Sequence, residues 1–257
     1  MKFVTFNPFR TIGMANIQYV KPEHMFQERE KIIAADVCLF PENWQVNALV
    51  YGMKKPIFPS IQSIQMGHNK IEVTRALWSV CPEHVPFTLI LGRNPENIEK
   101  VLSTFTFPFV AKEYRSSMGR GVFLIQSAEE FYEYAEQNPY FYVQEYLPIE
   151  RDLRICVIGD DVVAAYWRQS DHQFKNNVAQ GGEIFFNDVP EEAITLVKKV
   201  ATDLGIDHAG FDIALVNDHF YFLEFNTLFG NQGLHMLDVP IVKRIEAYVK
   251  KRYHQES

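Results

Sequence analysis

One segment limits the fold more than any other: Gly210-Phe-Asp212-Ile-Ala-Leu-Val-Asn217-Asp218-His-Phe-Tyr-Phe-Leu-Glu224-Phe-Asn226. Two alternating runs flank Asn217 and Asp218, both turn formers, so the segment predicts a β-hairpin. A turn centred near Asp218 sets Asp212 opposite Glu224, and Asn226, two residues on, shares the face of Glu224. Facing carboxylates repel across a ladder, and among Phe211, Phe222 and Phe225 the pair calls for a cation. Two acids and an amide are oxygen donors suited to Mg²⁺, which keeps other positions for water and phosphate oxygens. Taken alone, the pattern is equally compatible with a solvated acidic face. If the two anions do repel, Asp212→Asn leaves the metal-free protein as stable as before or more so.

The remaining sequence narrows the class. The 257 residues carry 25 Lys+Arg against 32 Asp+Glu, a formal charge of −7, which argues against a nucleic-acid binder working by phosphate neutralisation. A composition of 47% hydrophobic and 22% charged residues excludes a disordered, collagenous or coiled-coil chain. Apolar stretches such as 105–111 and 161–167 fall short of the roughly 20 residues of a membrane span, so no membrane partner is expected. The opening MKFVTFNPFRTIG meets Asn7, Pro8 and Arg10 before a signal-peptide apolar region develops, and reads as a first strand. Cys38, Cys81 and Cys156 are odd in number and widely spaced, so they read as buried structural thiols in a reducing, cytoplasmic setting.

The first sixty residues alternate strand-like runs (2–6, 36–40, 56–58) with helical patterns (21–35, 43–53), the βαβαβ rhythm of a small parallel sheet. A helix is expected from Lys70 through Ser79, and another from Asn94-Pro95, where Asn94 caps and Pro95 suits the first helical position. From Phe107 the rhythm changes to runs of strands punctuated by single helices, an α+β pattern. The basic residues of the last helix, 239–251, read as a solvated helix end.

Val110-Ala-Lys112-Glu113 ends an apolar strand with a lysine, and Ser116-Ser-Met-Gly119-Arg-Gly121 follows. A lysine beside such a loop can hold phosphates by point charge and backbone N–H groups. The GxxxxGK[ST] spacing of a P-loop is missing. Arg151-Asp152-Leu153 imitates a kinase catalytic loop, yet the required Asn is Val157.

Lys112, the loop to Gly121, Gln144-Glu145-Tyr146-Leu147, Asp152-Leu-Arg154, the strand pair from Gly159 to Arg168, Asn176-Asn177 with Gly181-Gly182, and the 210–226 hairpin occur in one order. That ordered set resembles the ATP-grasp superfamily, and within it the RimK-like branch of glutamate ligases, over Ser63 to Leu234. The resemblance implies an α+β ATP-grasp fold. Its parts are a small α/β pre-grasp domain (1–62), a central lobe (63–142) and a C-terminal lobe with the terminal helix (143–257).

It also implies an ADP-forming carboxylate–amine ligase working through an acyl phosphate, with ATP and Mg²⁺ or Mn²⁺ as cofactors. The acceptor would be an amino acid, peptide or protein end, and homo-oligomers are common among such ligases. By the same resemblance, Lys70 and Lys112 hold phosphates, while Ser116, Gly119 and Gly121 close over the γ end. Glu145, Tyr146 and Leu147 meet adenine, and Asp152 reaches the ribose. Lys175, where these ligases carry arginine, and Asn177 lie at the nucleotide. Asp212, Glu224 and Asn226 bind metal, and Arg168 joins Lys112 as a catalytic cation. Arg154 stays open between a site role and a structural ion pair, and His172 sits on the acceptor-side loop. A phosphotransferase with a hydroxyl acceptor and a non-catalytic nucleotide-binding domain are the alternatives.

Overall fold

The structure, a computed structural model, describes residues 1–67, 69–113, 121–169 and 182–254. The N-terminal rhythm becomes a parallel sheet of β1 (Phe3–Thr5), β2 (Ile17–Tyr19), β3 (Val37–Leu39) and β4 (Ile57–Phe58), ordered β2-β1-β3-β4. The long helix expected over 21–35 contracts to α1 (Arg29–Ala34), because Pro22 opens a 3₁₀ turn instead, and β2 adds an edge strand. Next come α2 (Asn43–Asn47), α3 (Ile61–Met66) and α4 (Lys70–Val80). Ser60 and Asn69 cap α3 and α4 by accepting from the N–H groups of Ser63 and Ile71.

The second sheet is ordered β5-β8-β6-β7, from β5 (Thr88–Gly92), β6 (Phe109–Lys112), β7 (Val122–Ile125) and β8 (Tyr140–Glu145). It packs with α5 (Pro95–Thr104) and α6 (Ala128–Gln137) around Val101, Phe109, Phe131 and Phe141. Asn94 caps α5 ahead of Pro95, as the sequence predicts.

The third sheet is antiparallel, ordered β11-β10-β9-β12-β13: β9 (Asp152–Ile158), β10 (Asp161–Gln169), β11 (Glu183–Phe185), β12 (His208–Val216) and β13 (His219–Asn226). Its helices are α7 (Glu191–Leu204), α8 (Gln232–Met236) and α9 (Ile241–His254). One face (Ile155, Trp167, Phe211, Phe222) packs with Val197 of α7 and Leu77 of α4. On the other, Cys156, Ile158 and Tyr166 join Ile245 and Val249 of α9 and Phe3 of β1 in one core. That second face changes character along its length, because successive alternate residues on β9 are Asp152, Arg154, Cys156 and Ile158.

The expected break at 142/143 falls within β8. β8 keeps pairing with β5 and β6 as far as Glu145, so the central sheet ends there. Helix α4, expected in the central lobe, packs on the third sheet because Val73 and Leu77 face its core. Asp207 ties the N-terminal sheet to the third one: its carboxylate accepts from Ser60 N–H at 2.7 Å and Ser63 Oγ at 3.2 Å. All three cysteines are free and buried, and burial raises Cys38 and Cys156 to about 12. Among the described residues no helix is long and apolar enough to cross a membrane.

Candidate active site

The hairpin forms as expected, by a route the sequence conceals. Asn217 and Asp218 both adopt positive φ (50° and 59°), a two-residue turn that pairs Val216 with His219 and Ile213 with Phe222. Continued unbroken, that register would set Glu224 opposite Phe211, on the apolar face. A bulge intervenes: Asp212 pairs with Glu224, leaving Leu223 as the extra residue on β13. The bulge, and not a turn centred on Asp218, moves Glu224 onto the face of Asp212. Asn226 follows on the same face, its Nδ2 donating to Glu224 Oε1 at 3.2 Å.

Asp212 does not confront Glu224 as an unpaired anion. Its neighbour on the other side, Arg154 of β9, binds it with Nε and Nη2, the latter at 3.0 Å. Arg168 of β10 reaches Asp212 Oδ1 at 3.0 Å and also forks onto Asp152 with Nε and Nη2. Two aspartates and two arginines, all buried, thus neutralise one another at the polar end of the sheet. Burial alone would raise the Asp212 carboxyl, and Arg154 and then Arg168 outweigh it, so the group lies below the ordinary carboxylate value. Burial raises Asp152 above that value, with Arg168 opposing and the Asp212 anion adding to the rise. The ribose role expected of Asp152 meets a carboxylate already committed to Arg168, as a cross-strand partner.

A cleft lies between this hairpin, α4 and β8. Its lining includes Lys70, Thr74, Tyr142, Gln144, Glu224 and Asn226. Lys70, at the start of α4, places Nζ 3.9 Å from Glu224 Oε2. Lys112, at the end of β6, is buried and donates to Gln144 Oε1 at 2.8 Å. Gln144 Nε2 in turn donates to Thr88 Oγ1 at 2.9 Å, and that hydroxyl donates to Pro86 O. Burial lowers the Lys112 ammonium to about 8, against the pull of Glu224 and with Lys70 adding to the depression.

The remaining expected residues fall around this cleft or outside the described chain. Glu145 closes β8, its Oε1 accepting from Phe87 N–H at 2.6 Å, with Tyr146 and Leu147 beyond it. Gly121 sits at φ 66° against Glu113, whose N–H donates to the Gly121 carbonyl at 2.7 Å, so the strand after the glycine loop starts beside Lys112. Ser116, Gly119, His172, Lys175 and Asn177 lie outside the described residues.

The cleft between the two sheets therefore carries Lys70, Glu224 and Asn226, with Lys112 bonded to its lining residue Gln144. Residues 79–249 match the family model of the RimK-like ATP-grasp domain. The chain belongs to that family. Tetrahydromethanopterin:alpha-L-glutamate ligase of Methanocaldococcus jannaschii is 37% identical over 99 residues, covering 37% of this chain and 34% of the relative. A probable alpha-L-glutamate ligase of Enterobacter sp. is 34% identical over 157 residues, 58% of this chain and 52% of the relative. The crystal structure of a RimK domain ATP-grasp protein from Sphaerobacter thermophilus superposes with a TM-score of 0.71 at 14% identity, covering 97% of this chain and 99% of that one. The chain spans 34% to 62% of the length of the first curated relatives it matches.

Within this ATP-grasp fold, Gln144 and Thr88 support Lys112, a role the sequence reading assigned to neither. Gln144 was detectable: on β8 it alternates with Tyr142, and Tyr142 is the cross-strand partner of Lys112. Thr88 required the sheet order, since β5 joins β8 across 56 residues of chain.

Proposed function

We propose that this chain is an ATP-dependent carboxylate–amine ligase, ADP-forming, that joins L-glutamate to the carboxylate of a small molecule, peptide or protein end. The observation that carries the reading is an interlobe cleft lined by Lys70, Glu224 and Asn226, with the buried Lys112 bonded to the lining residue Gln144, in a RimK-like ATP-grasp chain. Glutamate is chosen because matching relatives are named glutamate ligases.

The donor set suits a hard divalent cation. Asp212, Glu224 and Asn226 offer carboxylate and amide oxygens on one face of a hairpin, without the imidazole or thiolate that softer metals prefer. These three residues would hold Mg²⁺ or Mn²⁺, which supplies charge neutralisation where phosphate and carboxylate oxygens meet. Lys70 and Lys112 bind the nucleotide phosphates. Lys112 is poised for this: among the described residues its Nζ donates to an amide oxygen and to no carboxylate, so an arriving phosphate would serve as counter-ion to its buried ammonium. Ser116, Gly119 and Gly121 cover the phosphates and keep water from the activated carboxyl. Glu145, Tyr146 and Leu147, at the end of β8, meet the adenine, and Lys175 and Asn177 complete the nucleotide side. Arg168, oriented by Asp152, stabilises the anionic charge that develops on the acyl group. Asp152 acts here by orienting Arg168. Free, buried thiols fit a reducing cytoplasm.

The test is product analysis with ATP, L-glutamate and a panel of carboxylate acceptors by mass spectrometry. Equal amounts of ADP, phosphate and a glutamyl amide support the ligase. ADP with a phosphorylated acceptor would assign a phosphotransferase, and bound ATP without turnover a binding module.

A further inference from the structure

The buried arginine beside the hairpin has no role in the reading above, and its surroundings suggest one. Arg154 leaves β9 directly opposite Asp212 and grips both oxygens of that carboxylate. Two residues earlier on β12 stands Gly210, the cross-strand neighbour of Asn226. A Cβ there would lie 3.0 Å from Arg154 Nη1, 3.1 Å from Arg154 Cδ and 2.8 Å from the Cβ of Phe229. The missing side chain is therefore the space over which the arginine runs. Phe229 is held in turn from the N-terminal domain, where Arg10 Nη2 donates to its carbonyl at 2.8 Å. Arg154 is thus fenced on one side by Gly210 and Phe229 and on the other by Asp212.

We propose that Arg154 is a positioning residue for the metal site: its fork fixes the orientation of the Asp212 carboxylate on the hairpin face that carries Glu224 and Asn226, with Gly210 supplying the room the arginine needs. The proposal rests on the assignment of Asp212, Glu224 and Asn226 as metal ligands. An unconstrained Asp212 in this buried setting would be free to rotate toward Arg168 alone, which already contacts its Oδ1. Outer partners that orient a ligating carboxylate commonly change metal affinity by about 10- to 100-fold when removed.

The experiment measures Mn²⁺ binding to the full chain in the presence of ADP, following free Mn²⁺ by electron paramagnetic resonance. Arg154→Met is expected to weaken Mn²⁺ by about 10- to 100-fold, Arg154→Lys to recover part of that loss, and Gly210→Ala, which keeps every charge, to weaken it by a smaller factor. The concentration of metal giving half-maximal turnover should rise in parallel, while turnover at saturating metal falls less, a split that a merely structural arginine would not produce. Wild-type affinity in both folded Arg154→Met and Gly210→Ala overturns the proposal. Tighter binding in Arg154→Met also overturns it, since Arg154 would then be competing with the metal. If Arg154→Met does not fold, by near-ultraviolet circular dichroism, Arg154→Lys and Gly210→Ala decide, and unchanged affinity in both counts against it. Asp212→Asn is the separate control: if it binds Mn²⁺ as wild type does, the ligand assignment itself fails, whatever Arg154 does.

Discussion

The two sheets that flank the cleft treat buried charge in opposite ways. In the C-terminal sheet, Arg154 and Arg168 are matched by Asp212 and Asp152 through forked hydrogen bonds, so the group is internally neutral. In the central sheet, Lys112 is buried with an amide, a hydroxyl relay and the Tyr142 ring 5.6 Å away, but without a carboxylate at hydrogen-bond distance among the described residues. Neutral partners satisfy donors without cancelling charge, so the lysine wall stays electrostatically open, while on the closed, arginine wall the cations already have carboxylate partners. Removing a charge should therefore destabilise one wall and relieve the other.

The largest effect is expected on the closed wall. Asp212→Asn strands Arg154 in a buried position, and breaking such a pair costs about 3–5 kcal/mol. A lowered midpoint in calorimetry of the metal-free protein would support this. It reverses the stability expected from the sequence, where Asp212 seemed to face only Glu224. Lys112→Met should act with the opposite sign. Depression of its ammonium from 10.5 to about 8 corresponds to a burden of at most about 3 kcal/mol at neutral pH. The variant should gain part of that in denaturant titrations and lose nucleotide binding.

The same lysine sharpens the comparison through pH. Between about 8 and 10.5 the unfolded chain binds the proton that folded Lys112 has released, so stability rises with pH across that window. The burden is fully present below about 8, and the stability gap between wild type and Lys112→Met should narrow from pH 7 to pH 10. A constant gap would break the comparison. Gln144→Leu leaves the Lys112 ammonium and the Thr88 hydroxyl short of a partner, a loss of about 1–2 kcal/mol in the same titrations. The smallest effect belongs to Glu224→Gln. Its half-exposed carboxylate lies 3.9 Å from Lys70, so apo stability should hold within about 0.5 kcal/mol.

Much of this site was legible because strand alternation is a strict period of two. Lys112 at a strand end, the hairpin turn at Asn217 and Asp218, and the caps at Asn69 and Asn94 all follow from local chemistry. The role given to Asp152 was harder to read, because a sequence does not say which of its neighbours a buried carboxylate will take. Arg168, sixteen residues away on the adjacent strand, was the partner. The helix α4 likewise looked like part of the lobe that follows it, and its apolar face chose the third sheet instead.

Residue order and pattern determined by themselves an α+β chain with a parallel N-terminal sheet, a late hairpin bearing two acids and an amide, and a lysine at the end of an apolar strand. Those features depend on turn chemistry and side-chain period, which act within a few residues. Tertiary structure alone decided which charges are cancelled and which stay available. A one-residue bulge at Leu223 selected the face of Glu224, and strand order brought Arg154, Arg168 and Asp152 to Asp212. Charge pairing in a buried sheet depends on distances across strands far apart in the chain, and in a medium of low dielectric those distances set whether a group is held, relieved or left open.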